Sequence, residues 1–167
     1  LTGAGRDPRL HQVVIALAGE MLAVGGIADD AADGEARAQA SLDSGAAAEC
    51  FARMVSALGG PADFIENVAS HLETAPVTKA FTASRAGTIT RIQTREVGVA
   101  VVELGGGRIR AADPVDHAVG LSDVANVGLR VEAGDTLAQV HARSDAAADQ
   151  AIARLQAAYT VEEKEAE

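Results

Sequence analysis

Few residues of this chain have a type and spacing that could do chemistry. Asp116 directly precedes His117, which places a carboxylate beside an imidazole, but no serine or cysteine nucleophile is identifiable with them. The apolar stretch Val115–Val119 predicts a short strand, and Pro114 would limit that strand to the edge of a sheet. We therefore expect His117 to be a hydrogen-bonded core residue. The same interpretation applies to His141, which lies in a strand predicted over Thr136–Ala142.

Gly105, Gly106 and Gly107 form a glycine run directly before Arg108. Successive backbone N–H groups in such a run can cradle a phosphate. The run lacks the Lys-Ser/Thr ending of a P-loop, and it does not follow a strand and open a helix. The pattern therefore favours the end of a helix and close backbone packing over a phosphate site.

The remaining candidates also favour structural roles. Asp29, Asp30 and Asp33 lack the glycine and the distal glutamate of a calcium-binding loop, so they are interpreted as helix-capping and solvated residues. Cys50 is the only cysteine, which excludes an intrachain disulfide and a CxxC metal site, and a buried helical thiol is expected. His11 is expected to be solvated or partly packed. From residue chemistry alone, no catalytic, cofactor-binding or metal-binding residue is assigned, and no cofactor is predicted.

Composition narrows the possible partners. The net charge of −10 repels phosphate backbones and argues against nucleic-acid binding. The sequence contains no signal peptide pattern and no apolar run of membrane-spanning length, so a cytoplasmic protein without a membrane partner is expected. Since the chain starts with Leu1 and lacks an initiating Met, we expect it to be part of a longer polypeptide.

The elements that must position these residues are helical in the first half of the chain. Asp7-Pro8 is a helix start, and Gly25-Gly26 is a helix stop. Between them, apolar residues recur three or four apart, as on one face of a helix. His71 is expected near a helix end, where a cationic imidazole is favourable, and Met54 is expected to fill the core. The further helices predicted are Glu35–Leu42, Ala46–Leu58 and Pro61–Leu72.

A composition break at Thr74–Pro76 divides the chain into predicted domains, with residues 1–76 helical and residues 77–167 forming a second domain. In the second domain, residues 77–143 are β-rich and residues 145–159 form a terminal helix. The acidic tail Thr160–Glu167 is expected to fray. The other elements predicted here are strands at Val77–Ala83 and Gly87–Gln93 joined by a turn at Ser84–Gly87, and a helix that begins at Thr94 and ends at Gly105.

Two stretches of the β-rich part resemble the barrel-sandwich hybrid of biotinyl and lipoyl carriers. They are the G-x-I-x-x-I pattern of Gly87–Ile92 and the V-x-x-G-D-x-L pattern within Gly128–Leu137. Such a carrier must present its modified lysine at an exposed hairpin. The only lysines are Lys79 and Lys164, and neither lies between two such strands. A carrier function therefore lacks its required residue.

A second resemblance covers essentially the whole chain and is to the thymidine phosphorylase family of pyrimidine-nucleoside phosphorylases, bacterial type. It is carried by the order and spacing of several short motifs together. The segments with the family pattern are Leu1–Gly5, Ala18–Leu22, Phe51–Val55, Gly59–Asn67, Thr94–Gly98, Leu104–Arg108 and Asp116–Leu121.

This resemblance implies an α+β fold, in which a helical segment of the parent α/β domain precedes a C-terminal α/β-hammerhead domain with a barrel-sandwich-like region. It implies that the parent enzyme is a pentosyltransferase of pyrimidine salvage, which cleaves thymidine with phosphate to thymine and 2-deoxyribose 1-phosphate, and that the parent is a homodimer. The family's Lys-His-Ser-Thr-Gly-Gly phosphate loop does not occur in this sequence. No family catalytic residue therefore carries over, and no cation site is assigned at Leu1–Gly5.

Two functional expectations follow. The first is that the chain is the C-terminal part of a thymidine phosphorylase and is inactive alone. The second is a freestanding, non-catalytic binding or interaction module with a barrel-sandwich region.

Overall fold

A computed structural model describes residues 1–3 and 5–163. The chain forms two compact units, Leu1–His71 and Leu72–Glu167. The domain boundary predicted at residue 76 stays a prediction. Within the described residues, no helix combines the length and the apolar character that crossing a membrane requires.

The first unit is helical, and its first two helices begin at capping aspartates. The Asp7 carboxylate accepts a hydrogen bond from the Leu10 backbone N–H at 2.7 Å, and the Asp30 carboxylate accepts one from Asp33 N–H at 2.8 Å. The interpretation of the aspartate-rich loop as a capping element is thus confirmed at Asp30. The helices are α1 (Pro8–Val24), α2 (Ala31–Asp43), α3 (Ala46–Ala57) and α4 (Val68–His71).

Helices α1 and α2 approach each other through two glycines. A β-carbon on Gly34 would lie 2.9 Å from the Cα of Gly19 and closer still to its carbonyl oxygen. A β-carbon on Gly19 would lie 2.8 Å from the carbonyl oxygen of Ala31. Among the described residues of this unit, only Gly19, Ala28 and Gly34 are buried. The unit therefore has close backbone contact but buries no large apolar side chain.

Two helix predictions in this unit need correction. Helix α2 starts at Ala31 rather than Glu35, because the cap lies at Asp30. The predicted helix Pro61–Leu72 is wrong over its first part, since only Val68–His71 are helical. The Asp63 carboxylate is bound by Asn67 Nδ2 at 2.8 Å and by His71 Nε2 at 2.9 Å. These side-chain bonds stabilise a turn in place of the first helical turns.

Two burial predictions in α3 are also wrong. Cys50 is exposed, and the Met54 side chain is half exposed. The side of α3 that is partly covered contains Phe51 and Val55, with Cys50 and Met54 beside it. The His11 side chain is half-buried, and its Nε2 lies 2.9 Å from Gln39 Oε1, in agreement with its expected partial packing.

Up to residue 163, where the described part ends, the second unit contains two three-stranded sheets and three helical segments. One sheet has the strand order β1-β5-β3 and the other β4-β2-β6, and all of their pairings are antiparallel. The elements are β1 (Val77–Thr82), β2 (Gly87–Ile92), α5 (Thr94–Val101), a π-helical turn (Val102–Gly106), β3 (Gly120–Ser122), β4 (Arg130–Val131), β5 (Thr136–Ala142), α6 (Asp145–Ala158) and β6 (Tyr159–Glu162).

The core of the second unit lies where α6 packs against β1 and β5. Phe81 and Tyr159 meet edge to face with ring centroids 5.2 Å apart, and the Tyr159 hydroxyl donates to the Ala125 carbonyl at 3.2 Å. Burial raises the pKa of Tyr159 above its ordinary value. The largest fully buried side chains are Phe81, Ile89, Leu137, Leu155 and Val140.

Several predictions for this unit are confirmed. Strand β5 spans the predicted residues, and α6 begins after Ser144, whose hydroxyl accepts from Ala147 N–H at 3.2 Å. The helix predicted from Thr94 forms and continues into the π-helical turn. The α+β fold class is confirmed, whereas the hammerhead and barrel-sandwich detail stays a prediction.

The strands predicted on either side of the turn at Ser84–Gly87 are confirmed, and the residues between them form bends, although β1 and β2 lie in different sheets. Two local predictions for this unit are wrong. Val115–Val119 is not a strand, because the Asp116 carboxylate accepts from Ala118 N–H at 3.1 Å and holds a turn. The tail does not fray at its start, because β6 pairs with β2. Residues 164–167 lie outside the described part.

Candidate functional site

The glycine run packs against the segment that contains Asp116. The Asp116 backbone N–H donates to the Gly105 carbonyl at 2.9 Å, and Gly105 has a φ of 99° that favours glycine. A β-carbon on Gly106 would lie 3.2 Å from the Val119 carbonyl oxygen, and one on Gly107 would lie 2.7 Å from Val102 Cγ2. The predicted structural role of the run is therefore confirmed by these close contacts.

Arg143 holds the Asp116 carboxylate with two hydrogen bonds. Its Nε donates to Oδ2 at 2.6 Å, and its Nη2 donates to Oδ1 at 2.8 Å and to Glu73 Oε2 at 3.0 Å. The Arg143 guanidinium, followed by the Ala118 N–H, lowers the pKa of the Asp116 carboxyl. Bidentate pairing of this kind fixes geometry. Asp116 is thus an ionised structural residue whose lone pairs are engaged.

His117 does not form the dyad that its position beside Asp116 suggested. Its side chain is exposed in a turn, and the Asp116 oxygens are occupied by Arg143 and Ala118. The prediction that His117 is a core residue is wrong, because the capped turn replaces the strand that would have directed it inward.

His141 lies at the centre of a polar cluster that spans three strands. Its Nε2 is 2.9 Å from Ser122 Oγ on β3, and its Nδ1 is 3.3 Å from Thr78 Oγ1 on β1. Ser122 Oγ also donates to Asp123 Oδ2 at 3.2 Å. The prediction of a hydrogen-bonded His141 is confirmed, although its side chain is half-buried rather than fully buried. We call Thr78, Ser122 and His141 the histidine cluster.

The histidine cluster has part of the geometry of a nucleophile and its base. A serine hydroxyl within hydrogen-bond distance of an imidazole can be activated by it. In a catalytic triad, the other ring nitrogen donates to a buried carboxylate, which stabilises the imidazolium. Here that position is occupied by the Thr78 hydroxyl, and the Ser122 hydroxyl donates its proton to the Asp123 carboxylate. The arrangement therefore suits a hydrogen-bonded link between strands better than acyl transfer.

Two further ion-pair groups engage the charged side chains around α6. Arg154 donates to Glu103 at 2.6 and 2.8 Å and to Glu96 at 2.6 Å, which joins α6 to α5 and the π-helical turn. These bonds, with Glu103 first, raise the pKa of Arg154. Lys79 Nζ lies 2.8 Å from Asp149 and 2.9 Å from Asp145. The Lys79 ammonium is thus held by two carboxylates, whereas Lys164 lies outside the described residues.

In the second unit, a cavity of about 300 Å³ lies between the end of β1 and β6, and its polar lining residues include Ser84, Arg85 and Gln156. In the first unit, an apolar groove of about 520 Å³ runs beside α1. Over residues 1–3 and 5–163, no three His, Cys, Asp or Glu side chains are grouped so that they could hold a metal ion.

Sequence reasoning missed the partners in these clusters. Arg143, Thr78 and Ser122 carry no motif, and each is polar in the way that surface residues are. Only the period-2 pattern of the strands could have indicated that Thr78 and His141 project from a sheet. Their meeting depends on β1 pairing with β5, which the sequence did not predict.

Comparison with known protein families identifies the domain family that most of the second unit matches. Residues 88–162 match the family model of the pyrimidine nucleoside phosphorylase C-terminal domain. This stretch contains the glycine run, Asp116 and the histidine cluster apart from Thr78. Residues 88–162 thus belong to this domain family. The polar clusters described above consist of side chains that are hydrogen-bonded to one another.

The curated relatives narrow the resemblance to thymidine phosphorylases. The chain is 52% identical over 163 residues to the thymidine phosphorylase of Burkholderia lata, and 50% identical over 163 residues to that of Burkholderia cenocepacia. Each match covers 98% of this chain and 37% of the relative. The predicted resemblance to the C-terminal part of thymidine phosphorylase is confirmed, and the chain spans little more than a third of the length of these relatives.

Proposed function

We propose that this chain is the C-terminal part of a thymidine phosphorylase. The observation that carries the proposal is the 52% identity to the Burkholderia lata enzyme over 98% of this chain. The parent reaction would transfer the deoxyribosyl group of thymidine to phosphate, in pyrimidine salvage in the cytoplasm. Phosphate and thymidine would be its ligands, and a homodimer its assembly.

The chemistry of this reaction supports a structural role for the chain within the parent. Phosphorolysis needs donors for a dianionic phosphate and for the charge that develops on the pyrimidine as the glycosidic bond breaks. In the second unit, Arg143 and Arg154 are engaged by carboxylates, as is Lys79. Groups held in this way position elements and do not offer free donors to a substrate. The Lys-His-Ser-Thr-Gly-Gly phosphate loop of the family also does not occur in this sequence, and we therefore infer that the chain completes the enzyme and that the reacting groups lie in the rest of the parent.

A chimera tests this proposal. In it, the chain replaces the matched stretch of the Burkholderia lata enzyme, and thymine release from thymidine and phosphate is measured for the chimera and for the isolated chain. The chimera should release thymine, and the isolated chain should release none above background. Thymine release by the isolated chain would contradict the inferred division of labour, and a folded but inactive chimera would contradict the assignment to this enzyme.

A second candidate is a freestanding, non-catalytic binding or interaction module. It is favoured by the core of the second unit, which contains fully buried side chains such as Phe81, Ile89 and Leu155. The intact mass of the native protein separates the two candidates. A mature native chain of 16.9 kDa would favour the module, and a much larger polypeptide would favour the enzyme.

A further inference from the structure

Helix α1 directs its large apolar side chains away from the helix on which it packs. Successive residues of an α-helix are rotated by about 100°, so residues three, four and seven apart share a face. Six apolar residues of α1 share one such face and are between 46% and 88% exposed. We call this face the α1 stripe, and its members are Leu10, Val13, Val14, Leu17, Met21 and Val24.

The opposite side of α1 faces α2, and it packs through small residues. Gly19 lies on this side and contacts Gly34 backbone to backbone. The contact leaves no space for a larger side chain at either position. Among the described residues of the first unit, α1 therefore packs through its glycine side, and the α1 stripe stays largely exposed.

A groove extends the α1 stripe sideways toward α2. It has a volume of about 520 Å³, and Val14 and Met21 of the stripe form part of its wall. The other wall residues that α1 and α2 contribute include Ile15, Leu22 and Leu42, so the surface is continuous and mainly apolar. Exposed contiguous apolar surface of this kind marks an interaction site on a folded protein.

We propose that the α1 stripe and its groove are covered by the part of a thymidine phosphorylase that lies outside the stretch matched by this chain. The proposal rests on the proposed function. The relatives match this chain over 98% of its residues, so they contain the same helix, and 63% of their length remains to cover it. The covering surface must be apolar, because the six residues of the stripe bear no charge or hydrogen-bonding group.

A second copy of this chain is a poorer occupant. Residues 1–71 contain four basic and ten acidic side chains, which is a net charge of −6. Two such units placed face to face would bring together surfaces of the same sign, and this costs free energy. A covering segment with a different sequence does not have to bear this same charge.

Cysteine footprinting tests the interface without relying on activity. Met21→Cys places a thiol on the stripe, and Gln12→Cys places one on another side of the same helix, where the wild-type side chain is also exposed. Both variants carry Cys50→Ser, which removes the exposed native thiol. Alkylation by N-ethylmaleimide is followed at peptide level by mass spectrometry, in the isolated chain and in the chimera with the Burkholderia lata enzyme.

In the isolated chain, both thiols should react at similar rates. In the chimera, Met21→Cys should react at least about tenfold more slowly, because opening of the interface must precede reaction, whereas Gln12→Cys should be unchanged. Equal rates for Met21→Cys in the two proteins would overturn the proposal. Protection of Met21→Cys in the isolated chain that increases with protein concentration would also overturn it, in favour of a second copy.

Activity separates this proposal from the proposed function. A chimera that protects Met21→Cys but releases no thymine would retain the interface and reject the enzyme assignment. A chimera that releases thymine while Met21→Cys reacts freely would support the enzyme assignment and reject the interface. As a further check, Leu17→Glu should lower the Tm of the chimera, whereas Gln12→Glu should leave it unchanged.

Discussion

The two units of this chain fold by different means. The second unit buries large side chains, with Phe81, Ile89 and Leu137 at its centre. In the first unit, glycine and alanine are the only buried residue types among its described residues, while apolar side chains of α1 are exposed. Burial of apolar area is the main favourable contribution to folding. The comparison indicates that the second unit contains its own stabilising core, whereas the described helices of residues 1–71 leave large apolar side chains exposed.

The largest expected effect on the free energy of unfolding comes from truncating one apolar side chain in each unit. Phe81→Ala should lower the free energy of unfolding by about 3–5 kcal/mol, because the Phe81 side chain is 2% exposed and packs against Tyr159. Leu17→Ala, at a side chain 60% exposed, should change it by less than about 0.5 kcal/mol. Urea titration followed by the fluorescence of Tyr159, the only tyrosine in a chain without tryptophan, measures the first value. A urea titration followed by far-UV circular dichroism measures the change caused by Leu17→Ala.

If Phe81→Ala and Leu17→Ala lowered the free energy of unfolding by similar amounts, the two units would not differ in how they are stabilised. A loss of several kcal/mol for Leu17→Ala in the isolated chain would show that α1 is already covered there.

The next effect tests the glycine contact of the first unit. Gly34→Ala should destabilise the packing of α1 on α2 by about 1–3 kcal/mol, because the added methyl group overlaps the Gly19 backbone. Amide hydrogen exchange in α1 should become faster. Gly98→Ala is the matched control, since Gly98 lies in a helix with open space around it and should be neutral or slightly stabilised. Unchanged exchange in Gly34→Ala would mean that the two helices are not held by this contact.

A smaller effect distinguishes a structural histidine cluster from a reactive one. Ser122→Ala should cost about 0.5–1.5 kcal/mol, since it removes one hydrogen bond of the half-buried His141. Urea titration measures this cost, and Ser122→Thr, which keeps the hydroxyl, should restore most of it. Hydrolysis of an activated ester that Ser122→Ala abolished would instead identify the serine as a nucleophile.

The smallest effect concerns the ion pair between Asp116 and Arg143. The pKa of the Asp116 carboxyl is lowered in the folded protein, so its ionised form contributes stability above the ordinary carboxyl pKa of about 3.9. That contribution is lost as the pH falls through the lowered value. The difference in Tm between wild type and Asp116→Asn should therefore be largest near neutral pH and decrease toward pH 3. A difference independent of pH would show that the ion pair does not contribute through charge.

Part of the fold was predictable from local sequence because its cause is local. Asp7-Pro8 begins a helix, and Ser144 caps another, since each satisfies backbone groups within its own first turn. Strand β5 was likewise predicted over the residues that it occupies, Thr136–Ala142. The short motifs also predicted the phosphorylase resemblance, because a family is encoded in the order of residues along the chain.

The failures have a physical cause in tertiary contacts. The stretch around Asp116 has the composition of a strand, but Arg143 and the Ala118 N–H hold its carboxylate in a turn. Thr160 begins an acidic tail, yet the next residue, Val161, is buried because β6 pairs with β2. Sequence periodicity reports which residues share a face, but it does not report which surface meets that face.

By itself, the sequence determined the helices and strands with local signals, the α+β class and the resemblance of the chain to part of the phosphorylase family. The tertiary structure alone decided which strands pair, how Thr78, Ser122 and His141 meet, and that the apolar stripe of α1 lies opposite its contact with α2. The reason is that caps and periodicity act within a few residues, whereas pairing and burial depend on residues far apart in the chain.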